Sequence, residues 1–188
     1  MLRFHLILAV IVLFSLNTYA QANLAAQKSL IDTFILKNNV KPIILAKTTD
    51  KPALFEFDGI EYPSYMEYAY YIYKDASGKI IKISESPYNE NGEWSVFLSH
   101  YFNQSGNTFA FERVSTFFSI ICSEGIATQT QAEYYSDNFQ LQNKEYKFID
   151  EFLKDLAKDN CELPVNAEYV VYKNLSEYMN KKNIRLTK

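Results

Sequence analysis

His100 and Glu112 are the first residues to weigh for chemistry, because an imidazole beside a carboxylate can hold or move a proton near neutral pH. Both fall within Tyr65 to Phe118, where short polar loops ending in glycine separate runs rich in tyrosine, phenylalanine and isoleucine. If a turn pairs Asn103 with Asn107, counting outward puts Glu112 diagonal to His100 on one sheet face, and a carboxylate–imidazole pair is expected there. Ser99 is set aside as a nucleophile for His100, since neighbours on a strand point to opposite faces. A hydrogen-bonded surface pair is the ordinary use of such an arrangement, and a small hydrolase using His100 and Glu112 is the catalytic alternative.

The aromatic excess is the second clue: 15 Tyr, 14 Phe and a single Trp. The same counting opposes Tyr73 to Ile81, Tyr71 to Ile83 and Tyr101 to Phe109 on a core face. It leaves Tyr68, Tyr70, Ile72, Lys82 and Ser84, with Leu98, His100, Phe102, Ala110 and Glu112, on a mixed face. Tyrosine joins an apolar ring to a polar tip and suits surfaces that meet glycan or protein, although sheets also use aromatics as cross-strand pairs. Tyr68, Tyr70, Trp94 and Phe102, with His100 and Glu112 beside them, are therefore the candidate binding face for a protein or an envelope polymer.

Other chemistries lack their parts. With two histidines in the chain, one of them His5 near the start, a histidine-rich metal site cannot be assembled. No H-E-x-x-H, G-x-S-x-G, G-x-G-x-x-G or phosphate-cradling loop is present, and the five glycines each stand near a turn. Glu85, Glu90 and Glu93 surround the Asn89–Gly92 turn, but their spacing departs from the regular calcium loop and reads as a solvated turn. No metal or other cofactor is expected.

These side chains need a frame. Leu24, Ile31, Phe34 and Ile35 share one helical face and predict an opening helix. Short strands follow at Pro42 to Ala46 and Ala53 to Phe57. Two hairpins then share one layout, Tyr-Lys-Asp75-Ala-Ser-Gly78 and Tyr-Phe-Asn103-Gln-Ser-Gly106, with a looser third turn at Ser136-Asp137-Asn138. Phe148, Ile149, Phe152, Leu153 and Leu156 repeat at helical spacing, as do Val171, Leu175, Tyr178 and Met179 after Pro164 and a possible Asn166 cap. The expected fold is α+β: an antiparallel meander of about five to seven strands, with the N-terminal helix and two C-terminal helices packed on one face.

The Tyr-x-Asp/Asn-x-x-Gly spacing resembles hairpin-repeat segments of bacterial surface and exported proteins over about 50 residues. The resemblance carries no functional residue across.

The first residues set the compartment. Arg3, an apolar run from Leu6 to Phe14, and small residues ending at Ala20-Gln21-Ala22 follow the order of a signal peptide over residues 1–22, cut after Ala22 or Ala20. The run is too short for the roughly 20 residues of a spanning helix. Residues 23–188 then form a single exported domain, periplasmic or extracellular, with no transmembrane segment. Loss of Arg3 moves the formal charge from −3 to −4, a poor match for nucleic acid, and Lys181, Lys182, Arg185 and Lys188 read as a solvated helix face and tail. Cys122 and Cys161, an even count in an exported chain, are expected to pair. The reading that results is a non-enzymatic binding module. A hydrolase, or an assembly protein pairing through a sheet edge, is the alternative.

Overall fold

A computed structural model describes residues 23–119, 122–123, 125–157, 161 and 167–186. Helix α1 (residues 23–37) leads into strands β1 (Ile43–Thr48), β2 (Phe55–Glu56), β3 (Met66–Lys74), β4 (Ile80–Pro87), β5 (Trp94–Phe102), β6 (Thr108–Ser119), β7 (Gly125–Tyr135) and β8 (Leu141–Asp150). Helix α2 (Leu175–Lys181) follows. All eight strands form one antiparallel sheet in the order β2-β1-β3-β4-β5-β6-β7-β8, a meander from β3 onward. The meander was legible in the sequence; the strand number exceeds the expected five to seven.

Each turn from β3 onward that begins at Asp75, Asn103 or Asp150 is built by one device. The Asp75 carboxylate accepts the backbone N–H of Ser77 and Lys79 at 2.9 and 3.0 Å. Asn103 does the same for Ser105 and Asn107, and Asp150 for Phe152 and Lys154. The fourth residue takes the left-handed conformation: Gly78 at φ 85°, Gly106 at 79°, but Leu153 at 66°. This local bonding explains why the first expected C-terminal helix does not form. Phe148 belongs to β8 and is buried, while Phe152 and Leu153 sit exposed in the turn that Asp150 organises.

α2 is shorter than its apolar repeat suggested. Asn174 caps it, accepting the N–H of Glu177 at 2.9 Å, and Val171 lies ahead of it in irregular chain. Pro164 and Asn166, expected to begin this helix, lie outside the described residues.

The helices cover opposite faces, a correction to the expectation of one. Leu24, Ala25 and Ile31 of α1 pack on Tyr101, Ala110, Ala132 and Tyr134. Tyr178, Leu175 and Met179 of α2 pack on Tyr70, Ile72, Ile83 and Phe102. Because Tyr101 and Phe102 are neighbours on one strand, these two layers lie on either side of the sheet.

The pairing register also differs by one residue from simple counting. At the β3–β4 turn Lys74 pairs with Ile80, but Tyr73 pairs with Lys82. At the β5–β6 turn Phe102 pairs with Thr108, but Tyr101 pairs with Ala110. Ile81 and Phe109 are the extra residues of two β-bulges, and each bulge moves the rest of its strand to the other face. Tyr73 therefore does not oppose Ile81, nor Tyr71 Ile83, nor Tyr101 Phe109.

Candidate functional site

Three of the residues expected on the open binding face are deep in the core. Tyr70 is 3% exposed, His100 2% and Phe102 1%, all beneath α2 and the chain leading to it. Tyr68 packs half-buried at the margin of that cluster, and Trp94 packs half-buried against two neighbouring clusters, one containing Val96 and the other Phe117. Lys82 and Ser84, expected beside them, face the other way.

The His100–Glu112 pair is not formed. His100 stands opposite Phe111, and Glu112 stands opposite Ser99 on the α1 side. The bulge at Phe109 is the reason: one extra residue turns an expected same-face diagonal into opposite faces.

Glu112 instead joins a charged cluster under α1. Lys28 bridges Glu112 at 2.7 Å and Asp32 at 2.9 Å, and Lys82 reaches Asp32 at 2.9 Å. Tyr101, wholly buried, donates its hydroxyl hydrogen toward Asp32 at 2.9 Å with Glu112 at 3.1 Å, and both ammonium groups lie over its ring. Burial works against the Asp32 charge, yet Lys82 and Lys28 outweigh it and hold the carboxyl below its ordinary value. Four compensating charges fasten the helix to the sheet.

His100 has its own surroundings. Its ring lies 4.7 Å from that of Tyr178 and 5.1 Å from that of Phe111, centroid to centroid. Its Nε2 accepts the backbone N–H of Tyr172 at 3.1 Å. Burial, with Lys182 nearby, pushes its pKa down to about 3, so the imidazole is neutral. Glu85, expected in a solvated turn, is also buried on this face, and Lys182, expected in a solvated tail, pairs with it at 2.8 Å. No group of His, Cys, Asp and Glu fit for a metal ion occurs among the described residues.

An aromatic surface that reaches solvent lies elsewhere, on the side of the sheet that α1 packs on. A groove of about 230 Å³ runs between the chain after β2 and the ends of β3, β4 and β5. Tyr62 and Tyr88 are 5.4 Å apart, Tyr71 and Phe97 5.9 Å, and Phe57 extends the first pair at 6.0 Å. Ser86, Asn89 and Ser95 supply polar atoms, and no charged side chain lines the groove. Trp94 borders it, the one member of the expected face found there. The signal for the others is present in the sequence as Tyr71 and Phe97, but the register count places Tyr71 in the core.

Cys122 and Cys161 lie at bonding distance, their Cα atoms 5.2 Å apart. They pack with Leu156 against Phe117 and Phe148 at the far end of β6 and β8. The pairing thus ties the chain after β8 to the turn between β6 and β7.

Sheet, helices and grooves define a single-sheet antiparallel α+β protein with both faces partly covered. Among the described residues no helix is long and apolar enough to cross a membrane. The chain matches no protein-family model, no curated protein and no solved structure.

Proposed function

We propose that this chain is an exported, non-enzymatic binding module that takes a neutral segment of an envelope glycan in the Tyr62–Phe97 groove. The observation that carries the reading is the composition of that groove: the rings of Tyr62, Tyr71, Tyr88 and Phe97, with Ser86, Asn89 and Ser95 beside them and no charged side chain. A sugar ring presents an apolar C–H face to an aromatic ring and hydroxyls at its edge, so neutral glycan matches both parts. A charged polymer would find no counter-ion there. Export is supported by the order of residues 1–22 and by the cysteine pair.

The test is calorimetry with soluble oligomers of N-acetylglucosamine and of glucose. Tyr62→Ala and Phe97→Ala should each weaken binding about tenfold, the effect of losing one stacked ring. Melting should change little, because Tyr62 is half exposed and Phe97 lies at the surface. No binding across the panel, or binding indifferent to both substitutions, defeats the reading. Capture of a protein through the same two residues would move the groove to protein contact.

A further inference from the structure

The Tyr62–Phe97 groove is small for a whole ligand. Its volume of about 230 Å³ falls below the roughly 300–1,000 Å³ that drug-sized ligands fill, so it holds only a short piece of a longer chain. The sheet continues past it. Phe97 and Ser95 of β5 line the groove, and across β6 they pair with Val114 and Thr116, which pair in turn with Thr130 and Thr128 of β7.

These residues share the face on which α1 packs. Side chains alternate along a strand, and Glu112, two residues before Val114, reaches Lys28 of the helix. The helix itself lies over Tyr101, Ala110 and Ala132, at the other end of the strands. It leaves this end open: Phe118 and Ile126, paired with one another across β6 and β7, are 63% and 44% exposed. An apolar patch left open in this way marks a surface that meets something.

The open part repeats the chemistry of the groove without its walls. Between Glu112 and the turn that joins β6 to β7, strands β5, β6 and β7 put no charged side chain on this face. Ser95, Thr116 and Thr128 stand side by side across the three strands, and the Oγ1 atoms of the two threonines are 3.3 Å apart.

We propose that groove and open face are one site, and that its ligand is a long neutral polysaccharide laid across the strands from β3 to β7. The proposal rests on the glycan reading of the groove and adds the length of chain that is bound. Neighbouring strands lie about 4.8 Å apart, so the four steps from β3 to β7 give about 19 Å of contact. The hydroxyls of Ser95, Thr116, Thr128 and Thr130 each give and accept hydrogen bonds, as sugar hydroxyls do. Val114, Phe118 and Ile126 offer apolar surface to the C–H faces of the sugar rings. A charged polymer would find no counter-ion on these strands, and a wholly apolar partner would bury the hydroxyl row without acceptors or donors.

The experiment is calorimetry with the same N-acetylglucosamine and glucose oligomers, taken from two to six sugar units. Six units should bind at least tenfold tighter than the shortest oligomer that binds, more than the few-fold that overlapping registers alone provide. Thr128→Lys, on β7 away from the groove, and Phe118→Ala should each remove most of that gain. Both should leave the shortest oligomer bound as before, which also shows that the variants are folded, whereas Tyr62→Ala weakens every length. Equal affinity at all lengths, or a gain that survives both substitutions, overturns the extended site and leaves the groove reading standing. No binding at any length defeats both. A concentration-dependent dimer that Thr128→Lys breaks would assign this face to a second copy of the chain and likewise overturn the proposal.

Discussion

Tyr101 of β5 gives its hydroxyl hydrogen to Asp32 of α1 across 2.9 Å, a contact between residues 69 apart in sequence. It is the inner link of the cluster that fixes the helix to the sheet. Asp32→Ala leaves Lys82 and part of the Lys28 charge without a partner. The expected loss is about 1–3 kcal/mol in urea unfolding, discounted from a fully buried pair because the Asp32 side chain is 36% exposed. Tyr101→Phe should cost less, about 1–2 kcal/mol, since only one hydrogen bond goes. If Asp32→Ala is neutral, the cluster is not what holds α1.

The same cluster makes the fold sensitive to alkali. Burial lifts the Tyr101 phenol well above its usual 10.0, and Glu112 and Asp32 add to the rise. Burial disfavours the Lys28 charge, but Glu112 and Asp32 prevail and hold its pKa above 10.5. Both groups keep a proton in the folded chain that the unfolded chain gives up. Their contribution is present below about pH 10 and is lost as pH rises past it. The check is the urea midpoint between pH 8 and 11, which should fall more steeply in the parent than in Tyr101→Phe.

Acid acts through His100 in the opposite sense. Folded, it resists protonation down to about 3; unfolded, it takes a proton near 6.5. The His100 contribution is therefore whole above pH 6.5 and declines as pH falls toward 3, by about 1.4 kcal/mol per pH unit. The titratable groups around it are Tyr172 and Tyr178 and, lining a cleft with it, the Glu85–Lys182 pair, so a second positive charge would meet Lys182. His100→Phe should remove about one proton from the slope of stability against pH between 6 and 4. An unchanged slope would place the titration elsewhere.

Two turns of one design give a matched pair of substitutions. Gly78 has φ 85° with open space where a Cβ would stand, so Gly78→Ala should cost about 1–2 kcal/mol from backbone conformation alone. Leu153 has φ 66° and is 72% exposed, so Leu153→Gly should gain about 0.5–1 kcal/mol. Chemical denaturation that moves both in one direction would refute the shared design.

Reduction of Cys122–Cys161 opens a loop with a sequence separation of 39 residues. The expected loss is on the order of 3 to 4 kcal/mol. Melting with and without reductant should show it, and a double serine variant should lie at the reduced value.

The turns were legible in the sequence because they depend on local chemistry: Asp75, Asn103 and their glycines bond to their own backbone. The meander follows from them. The turn at Asp150 was hidden because Leu153 occupies the glycine position and completes an apolar spacing of helical period. The face assignment failed for a different reason. A bulge is one residue long, leaves no compositional mark at Ile81 or Phe109, and inverts everything after it. Tyr70, His100 and Phe102 were thus grouped correctly with one another, but their covering by residues 167–186 depends on contacts that span the chain.

The bulges also give each strand something like a reading frame of two. Insertion or loss of one residue within the ladder of β6 would exchange the inner and outer sets beyond it, presenting Phe111 and Arg113 to α1 and sending Glu112 away from Lys28. Deleting Phe109 is different: Thr108 would still meet Phe102 and Ala110 would still meet Tyr101. The sheet therefore has marked places where its length can be edited without exchanging its two faces, and Phe109 and Ile81 are two of them.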